Sequence, residues 1–258
     1  MTLSQALIGL VSALLIAAVT TPAGVSGAVF LLPVQLSVLD VPNPAVTPTN
    51  LLFNVVGTPG ALLRYRRHGQ LDPQLTRRLI AGTLPGVVAG SAVHVYFAAG
   101  PRTFRVLAAA VLLPLGVWLI RRRRPPAAPT RTIPPRGITA LSLVVGFVGG
   151  IYGIGGGSIL APVLVGSGLP VTTVAPAALA STFFTSLAGA VTYAVLALTT
   201  SGAIAPNWSL GITCGVGGLI GGYLGARLQG HFDERALRTL LGTLAIALAV
   251  AYLAQVAI

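Results

Sequence analysis

Between residues 137 and 226 the chain carries no Asp, Glu, Lys or Arg. Whatever chemistry is done there must use neutral groups. Two stretches offer them. "GIGGGSILAPVL" (153–164) places Gly153, Gly155, Gly156 and Gly157 just before Ser158, and "ASTFFTS" (180–186) supplies Ser181, Thr182, Thr185 and Ser186. Clustered glycines weaken a helix by roughly 1 kcal/mol each relative to Ala, so the backbone should unwind over 153–157 and resume as a helix near Ser158. A helix start exposes free N–H groups and a positive dipole end, which together bind anions. Glycine also lets successive amides form a concave nest.

A second set stands earlier in the chain. "TPAGVSG" (21–27) holds Gly24, Ser26 and Gly27, and "TPTNLLFN" (47–54) holds Thr47, Thr49, Asn50 and Asn54. Asn50 and Asn54 are four apart, so they share a helix face. The candidate binding groups are therefore Gly24, Ser26, Gly27, Thr49, Asn50, Asn54, Gly153, Gly155, Gly156, Gly157, Ser158, Ser181, Thr182 and Thr185. The competing interpretation of each polar side chain is a hydrogen bond between helices, and that of the glycines a kink used for packing.

Other chemistries find no support. From Gly153 the sixth position is Ser158, so the stretch is not GxGxxG, and a phosphate-binding Walker loop needs a Lys that the chain lacks. His68, His94 and His231 have no metal-ligand spacing. No Ser/His/Asp, paired-Asp or HExxH set falls within the apolar runs, so no enzyme activity, metal or cofactor is expected. Cys214 is the only cysteine, and no intrachain disulfide can form. His94, in "SAVHVYFAAG", is the one histidine inside an apolar run, which makes it the candidate for coupling to a proton.

The elements that must position these groups are membrane helices. The 258-residue chain is 54% hydrophobic and only 8% charged, too little charge to cover a water-soluble globule. Several apolar runs reach the roughly 18 residues needed to cross a bilayer, and no ten-residue alternation suggests a barrel. The fold class is an all-α polytopic membrane protein. The net charge of +12 comes from Arg alone, and the arginines fall at 64–78, 102–105, 121–136 and 227–238, between the apolar runs. That placement fits topology signals rather than nucleic-acid binding. "MTLSQ" holds no basic residue, so the first apolar run is taken as a helix and not a cleaved leader.

The chain also repeats itself. "GVSGAVFLLPV" (24–34) lies over "GIGGGSILAPV" (153–163), with Gly24 on Gly153, Gly27 on Gly156 and Pro33 on Pro162. This divides the chain into a first transmembrane repeat (1–120), an Arg/Pro-rich linker (121–136) and a second repeat (137–258). Each half opens with a glycine-broken apolar segment, over about 3–39 and 138–169. Three more helices follow in each, near 46–64, 78–98 and 103–120, then 174–198, 208–226 and 236–257. Two broken helices in corresponding positions of two repeats point to a transporter's substrate site. Gly82, Gly86 and Gly90, like Gly217, Gly221 and Gly225, recur every fourth residue and should pack helices closely. If each broken segment crosses out and back, the halves have five elements each and are inverted, and Arg227, Arg235 and Arg238 lie on the side of the 64–78 loop. If each is one crossing, there are eight spans and those arginines lie opposite. The inverted arrangement is preferred.

"GIGGGSILAPVL", the polar "TPTNLLFN" and "ASTFFTS" helix starts, "GALLRYRRHGQLD" and the "LPGVVAG" run together resemble the TauE/SafE sulfite exporter family, also called the toluene-sulfonate uptake permeases. The resemblance spans essentially the whole chain, although "TPAGVSG" replaces a GxGGG-like core in the first half. It implies a secondary transporter of sulfite, organosulfonates or related small anions in the cytoplasmic (plasma) membrane. The alternatives are a carrier of another small anion or metabolite and a passive anion channel. The expected partners are a small anionic substrate, the lipid bilayer, a proton or sodium ion for coupling, and a second copy in a homodimer.

Overall fold

The computed structural model describes residues 2–97, 101–121, 133–199 and 205–257. Among these residues the regular elements are all helical: α1 (Leu3–Thr20), a single 3-10 turn (Thr21–Ala23), α2 (Ala28–Ser37), α3 (Asn43–Arg67), α4 (Pro73–Phe97), α5 (Pro101–Arg121), α6 (Pro135–Tyr152), α7 (Gly157–Gly166), α8 (Val171–Thr199), α9 (Trp208–Gln229) and α10 (Glu234–Ala257). Helices α1, α4, α6, α8, α9 and α10 are long and apolar enough to cross a membrane. The expected linker falls mostly on residues 122–132, which lie outside the described residues.

The four-residue glycine spacing decides which helices touch. A Cβ at Gly86 or Gly90 of α4 would lie 2.7 Å from the Phe147 nitrogen or 2.8 Å from its carbonyl carbon, both on α6. On α9, a Cβ at Gly217 would lie 3.0 Å from the Leu10 carbonyl carbon, and one at Gly221 would lie 2.9 Å from that of Leu14, both on α1. Backbone thus meets backbone at two crossings, the close approach that small-residue stripes permit in lipid. Each crossing joins the two sequence halves: α6 lies along α4, and α1 along α9. Helix α9 also packs on α3, α8 on α4, and α5 on α10.

These contacts fix direction. Glycines 82, 86 and 90 meet residues 139–147 in ascending order, so α4 and α6 run parallel. Residues 10, 14 and 18 meet 217, 221 and 225, so α1 and α9 are parallel too. Helices α3 and α9 are parallel by the same test, through Leu52 with Gly211, Val56 with Gly215 and Ala61 with Gly222.

The broken segments turn back. A Cβ on Gly149, near the end of α6, would lie 3.3 Å from the carbonyl carbon of Gly155, so the chain has reversed before α7 begins. Helix α7 then descends to the turn at 167–170, and Ser167, Gly168 and Leu169 line one surface cavity with Asp72, Arg78, Pro134 and Pro135. The start of α6 and the end of α7 therefore share one end of the molecule. Helix α1 finishes at that same end, where Gln229 Nε2 donates to Pro22 O at 2.7 Å and Tyr65 Oη to Thr21 O at 3.3 Å. After α2 the chain comes back to the start of α1, with Leu39 beside Gly9. Each broken segment thus returns to the end it left, and the two leave from opposite ends.

The charge distribution follows. The end of α3, the starts of α4, α6 and α10, and the end of α9 all meet at one end, carrying Arg64–Arg78, Arg136, Arg227, Arg235 and Arg238. There the Glu234 carboxylate accepts the Val171 N–H at the start of α8 (3.0 Å) and the Arg238 Nε–H (2.9 Å). By the positive-inside rule this is the end expected to face the cytoplasm. A Gly230→Cys variant should therefore react with an impermeant maleimide from the same side as Gln70→Cys, and from the side opposite Tyr96→Cys. A Cβ at Gly230 meets nothing within 4 Å, and the native Cys214 is buried and silent. Labelling of Gly230→Cys from the Tyr96 side would overturn the arrangement.

Candidate functional site

Two glycines make the turns. Gly24 and Gly153 hold φ of +77° and +67°, in the left-handed region that costs any other residue. Neither has room for a side chain: a Cβ on Gly24 would lie 2.5 Å from Ala175 Cα, and one on Gly153 would lie 3.0 Å from Thr47 Cα. Gly153 closes α6 through its N–H to Gly149 O at 2.9 Å. Gly155 is left-handed as well, and from there α7 sets off back toward the arginine-rich end.

The result is a meeting of helix starts. Helix α2 begins at Ala28 and runs toward one end, and α7 begins at Gly157 and runs toward the other. Between them, the Ser26 N–H donates to Ser158 Oγ at 3.3 Å, across 132 residues of sequence. Ser158 in turn donates to Ile154 O at 3.1 Å. Ser26 Oγ donates to Asn54 Oδ1 and accepts the Ala28 N–H at 3.2 Å. Asn50 Nδ2 donates to Ala28 O at 2.9 Å, which anchors α2 on α3. On the other side, Thr182 Oγ1 accepts the Gly157 N–H at 3.0 Å, anchoring α7 on α8. Ser181 exchanges a hydrogen bond with Thr83 of α4 at 3.0 Å.

Several polar atoms are left over at this meeting point. Asn54 Nδ2, Thr185 Oγ1 and Ser186 Oγ are buried without a hydrogen-bond partner. They surround the unwound turn. A Cβ on Gly155 would lie 3.2 Å from Asn54 Nδ2 and 3.4 Å from Ser186 Oγ, and one on Gly156 would lie 3.6 Å from Thr185 Oγ1. A buried polar group without a partner costs about 1–3 kcal/mol, so the Asn54 amide and the two hydroxyls are free to donate to an acceptor at the turn, while Asn50 Oδ1, also buried without a partner, is itself an acceptor. Because Ser26 uses the carbonyl of Asn54, the free half of that amide is the donating half. A small cavity of about 20 Å³ lies beside the first break, lined by Thr21, Ser26, Gly27, Phe53 and Thr58 among others, with room for roughly one water.

The site is electrically one-sided. Two helix N-termini, each equivalent to about half a positive charge, point at the same spot. The one charged side chain buried among the described residues is Arg238, held by Glu234 at the arginine-rich end. Among the described residues no buried acidic side chain balances the two dipoles there. The described residues also contain no group of three or more His, Cys, Asp or Glu that could hold a metal.

Most of the residues singled out from the sequence converge: Ser26, Asn50, Asn54, Gly155, Gly156, Gly157, Ser158, Ser181, Thr182 and Thr185. Gly24 and Gly153 shape the turns. Gly27 packs, with a Cβ there 3.2 Å from Ile16 and 3.4 Å from Phe53. Thr49 is used elsewhere. Its hydroxyl donates to Ala45 O at 2.6 Å and accepts the Asn207 N–H at 2.8 Å, securing the start of α9. His94 stands eleven residues beyond Thr83 along α4, about 16 Å at 1.5 Å per residue. Its ring packs edge-on against Tyr193, centroids 5.9 Å apart, and its Nδ1 has no partner. Thr83 was not anticipated from the sequence. Its only signal there is a hydroxyl inside a glycine stripe whose other face packs α6.

The family model described as Sulfite exporter TauE/SafE matches residues 9–252. No curated protein and no solved structure matches the chain.

Gly156 offers the sharpest test of the site. Its φ of −64° suits any residue, so a side chain there is resisted by space alone. Gly156→Leu should insert and remain monodisperse while losing anion transport, because its Cβ starts 2.7 Å from Thr83 Cγ2 and the side chain grows into the site. Flux close to the parent's from a well-folded variant would move the site elsewhere.

Proposed function

Because the chain belongs to the TauE/SafE sulfite exporter family, a family of membrane transporters for sulfur-containing anions, we propose that it is a secondary carrier of sulfite or a small organosulfonate in the cytoplasmic membrane. The observation that carries this is the meeting of the α2 and α7 starts on unsatisfied Asn54 Nδ2, Thr185 Oγ1 and Ser186 Oγ.

An oxyanion supplies what those groups lack. Its oxygens accept from the Asn54 amide, from both hydroxyls and from first-turn N–H groups of the two half-helices. Each helix end stabilises an anion by roughly 0.3–2 kcal/mol. Several such contacts hold a small anion without a fixed cation, and loosely enough to release it. An amine gains nothing here, since it meets two positive dipole ends. No Arg or Lys among the described residues lines the site, so none holds the cargo too tightly to release it.

One feature favours a carrier over a channel. The half-helices close the site from opposite ends, α2 from one and α7 from the other. Small rocking of the α2–α3 pair or of the α7–α8 pair would expose the site to one side at a time, the usual arrangement of broken-helix carriers. The proposal includes no catalytic step and no cofactor.

Proteoliposomes test it directly. Saturable uptake is expected for sulfite or a short alkyl sulfonate, competed by similar oxyanions and unaffected by a primary amine. Asn54→Ala should raise the half-saturation concentration about tenfold, the value of one lost hydrogen bond to a charged acceptor. Competition by the amine, with no transport of sulfur oxyanions, would sink the proposal.

Coupling is proposed for His94, whose imidazole titrates near neutral pH when unperturbed. A proton there would act at a distance, through Tyr193, whose hydroxyl donates to Gly150 O at 2.9 Å close to the break. His94→Gln should flatten the pH dependence of uptake while leaving affinity nearly unchanged. An unaltered pH profile would remove His94 from the mechanism and leave sodium as the coupling ion to test.

A further inference from the structure

A groove of about 790 Å³ opens sideways between α3, α4 and α8 at the arginine-rich end. Its walls are apolar, with Leu62, Leu63, Ile80 and Phe184 among them, and two guanidinium groups, Arg66 and Arg77, stand in its lining. Leu63 and Phe184 are 47% and 43% exposed, so the groove faces what surrounds the protein rather than its core. In a membrane-spanning helix bundle those surroundings are lipid. Neither arginine forms an ion pair among the described residues. The groove runs from Arg66 to Pro59 along α3, about 10 Å at 1.5 Å per residue. It is a slot with a cationic outer part and an apolar inner part.

We infer that this groove is a binding site for an anionic phospholipid, its phosphate on Arg66 and Arg77 and an acyl chain along Leu62, Leu63, Ile80 and Phe184. The chemistry separates this ligand from the transported anion. A small oxyanion has no use for an apolar slot, and a zwitterionic lipid has less to offer two unpaired guanidinium groups. Basic pockets between membrane helices at the cytoplasmic end suit anionic headgroups for this reason. A second copy of the chain fits less well. Two copies side by side in one bilayer would bring their arginine-rich ends together at the same depth, and like charges would oppose the contact. The inner end of the groove is walled by Ala180, Phe183 and Phe184 of α8, residues interleaved with Ser181, Thr182 and Thr185 of the central site. A lipid seated there rests against the α8 turns that carry the transport site.

The test uses the purified full-length protein in detergent with equimolar phosphatidylglycerol and phosphatidylcholine, read by native mass spectrometry. Phosphatidylglycerol adducts should exceed phosphatidylcholine adducts about tenfold, since each Arg near a headgroup contributes about a fivefold preference and part of it is screened. The double variant Arg66→Gln/Arg77→Gln should bring the ratio close to one. A control double variant at exposed arginines of the same end, Arg227→Gln/Arg235→Gln, should keep it. Ala81→Trp, which fills the groove from an exposed position, should reduce adducts of both lipids. Equal binding of the two lipids by the parent protein overturns the inference. So does a preference that survives loss of Arg66 and Arg77, or unchanged binding by Ala81→Trp. Efficient disulfide crosslinking of Phe184→Cys between two copies in phosphatidylglycerol vesicles also overturns it, because it would show a second copy in place of the lipid.

Discussion

Two helix N-termini of like polarity, those of α2 and α7, are held together across the Ser26–Ser158 hydrogen bond, with no buried acidic side chain among the described residues. Each end is equivalent to about half a positive charge, so the two repel one another, and an anion placed between them would offset that repulsion against the cost of leaving water. The rest of the architecture serves to hold those two ends in place.

Holding them requires that unwound backbone be satisfied at membrane depth, where a lost hydrogen bond has no water to replace it. The protein does this with short side chains from the following helix of each broken segment. Asn50 and Asn54 of α3 bind around α2, and Thr182 of α8 binds the first N–H of α7. A hydroxyl or carboxamide satisfies the backbone without adding a charge that would compete with the cargo. A division of roles is visible within a single side chain. Asn54 gives its carbonyl to the scaffold through Ser26 and keeps its amino group free.

Rigidity comes from elsewhere. The glycine stripes of α4 and α9 bring backbone against backbone on α6 and α1, and both contacts join elements from opposite sequence halves. The scaffold is thus shared, with α6 laid on α4 and α1 on α9. The half-helices α2 and α7, ten residues each, are the short elements left between these long ones. The Glu234 carboxylate joins the start of α8 to α10 at the arginine-rich end.

The helices were legible in the sequence because lipid leaves few options. Apolar runs of sufficient length must be helical, and Gly153–Gly157 or Thr21–Gly27 must interrupt them. The structure places α3 at Asn43–Arg67 and α8 at Val171–Thr199, a few residues beyond the runs read near 46–64 and 174–198, because helix ends extend into residues whose polarity hides them. The polar candidates were legible too, since a hydroxyl or carboxamide in an apolar helix has to face the interior. Their partners were not. Thr49 and Asn50 are adjacent and similar in a sequence, yet one secures α9 through Asn207 and the other secures α2 through Ala28. Thr83 looked like one more small residue in a packing stripe until α8 came to lie beside it. Local periodicity records which residues turn inward. It holds no information on which other inward face they meet, and Ser26 meets Ser158 only because two chain reversals and two glycine crossings bring residues 132 apart to the same point.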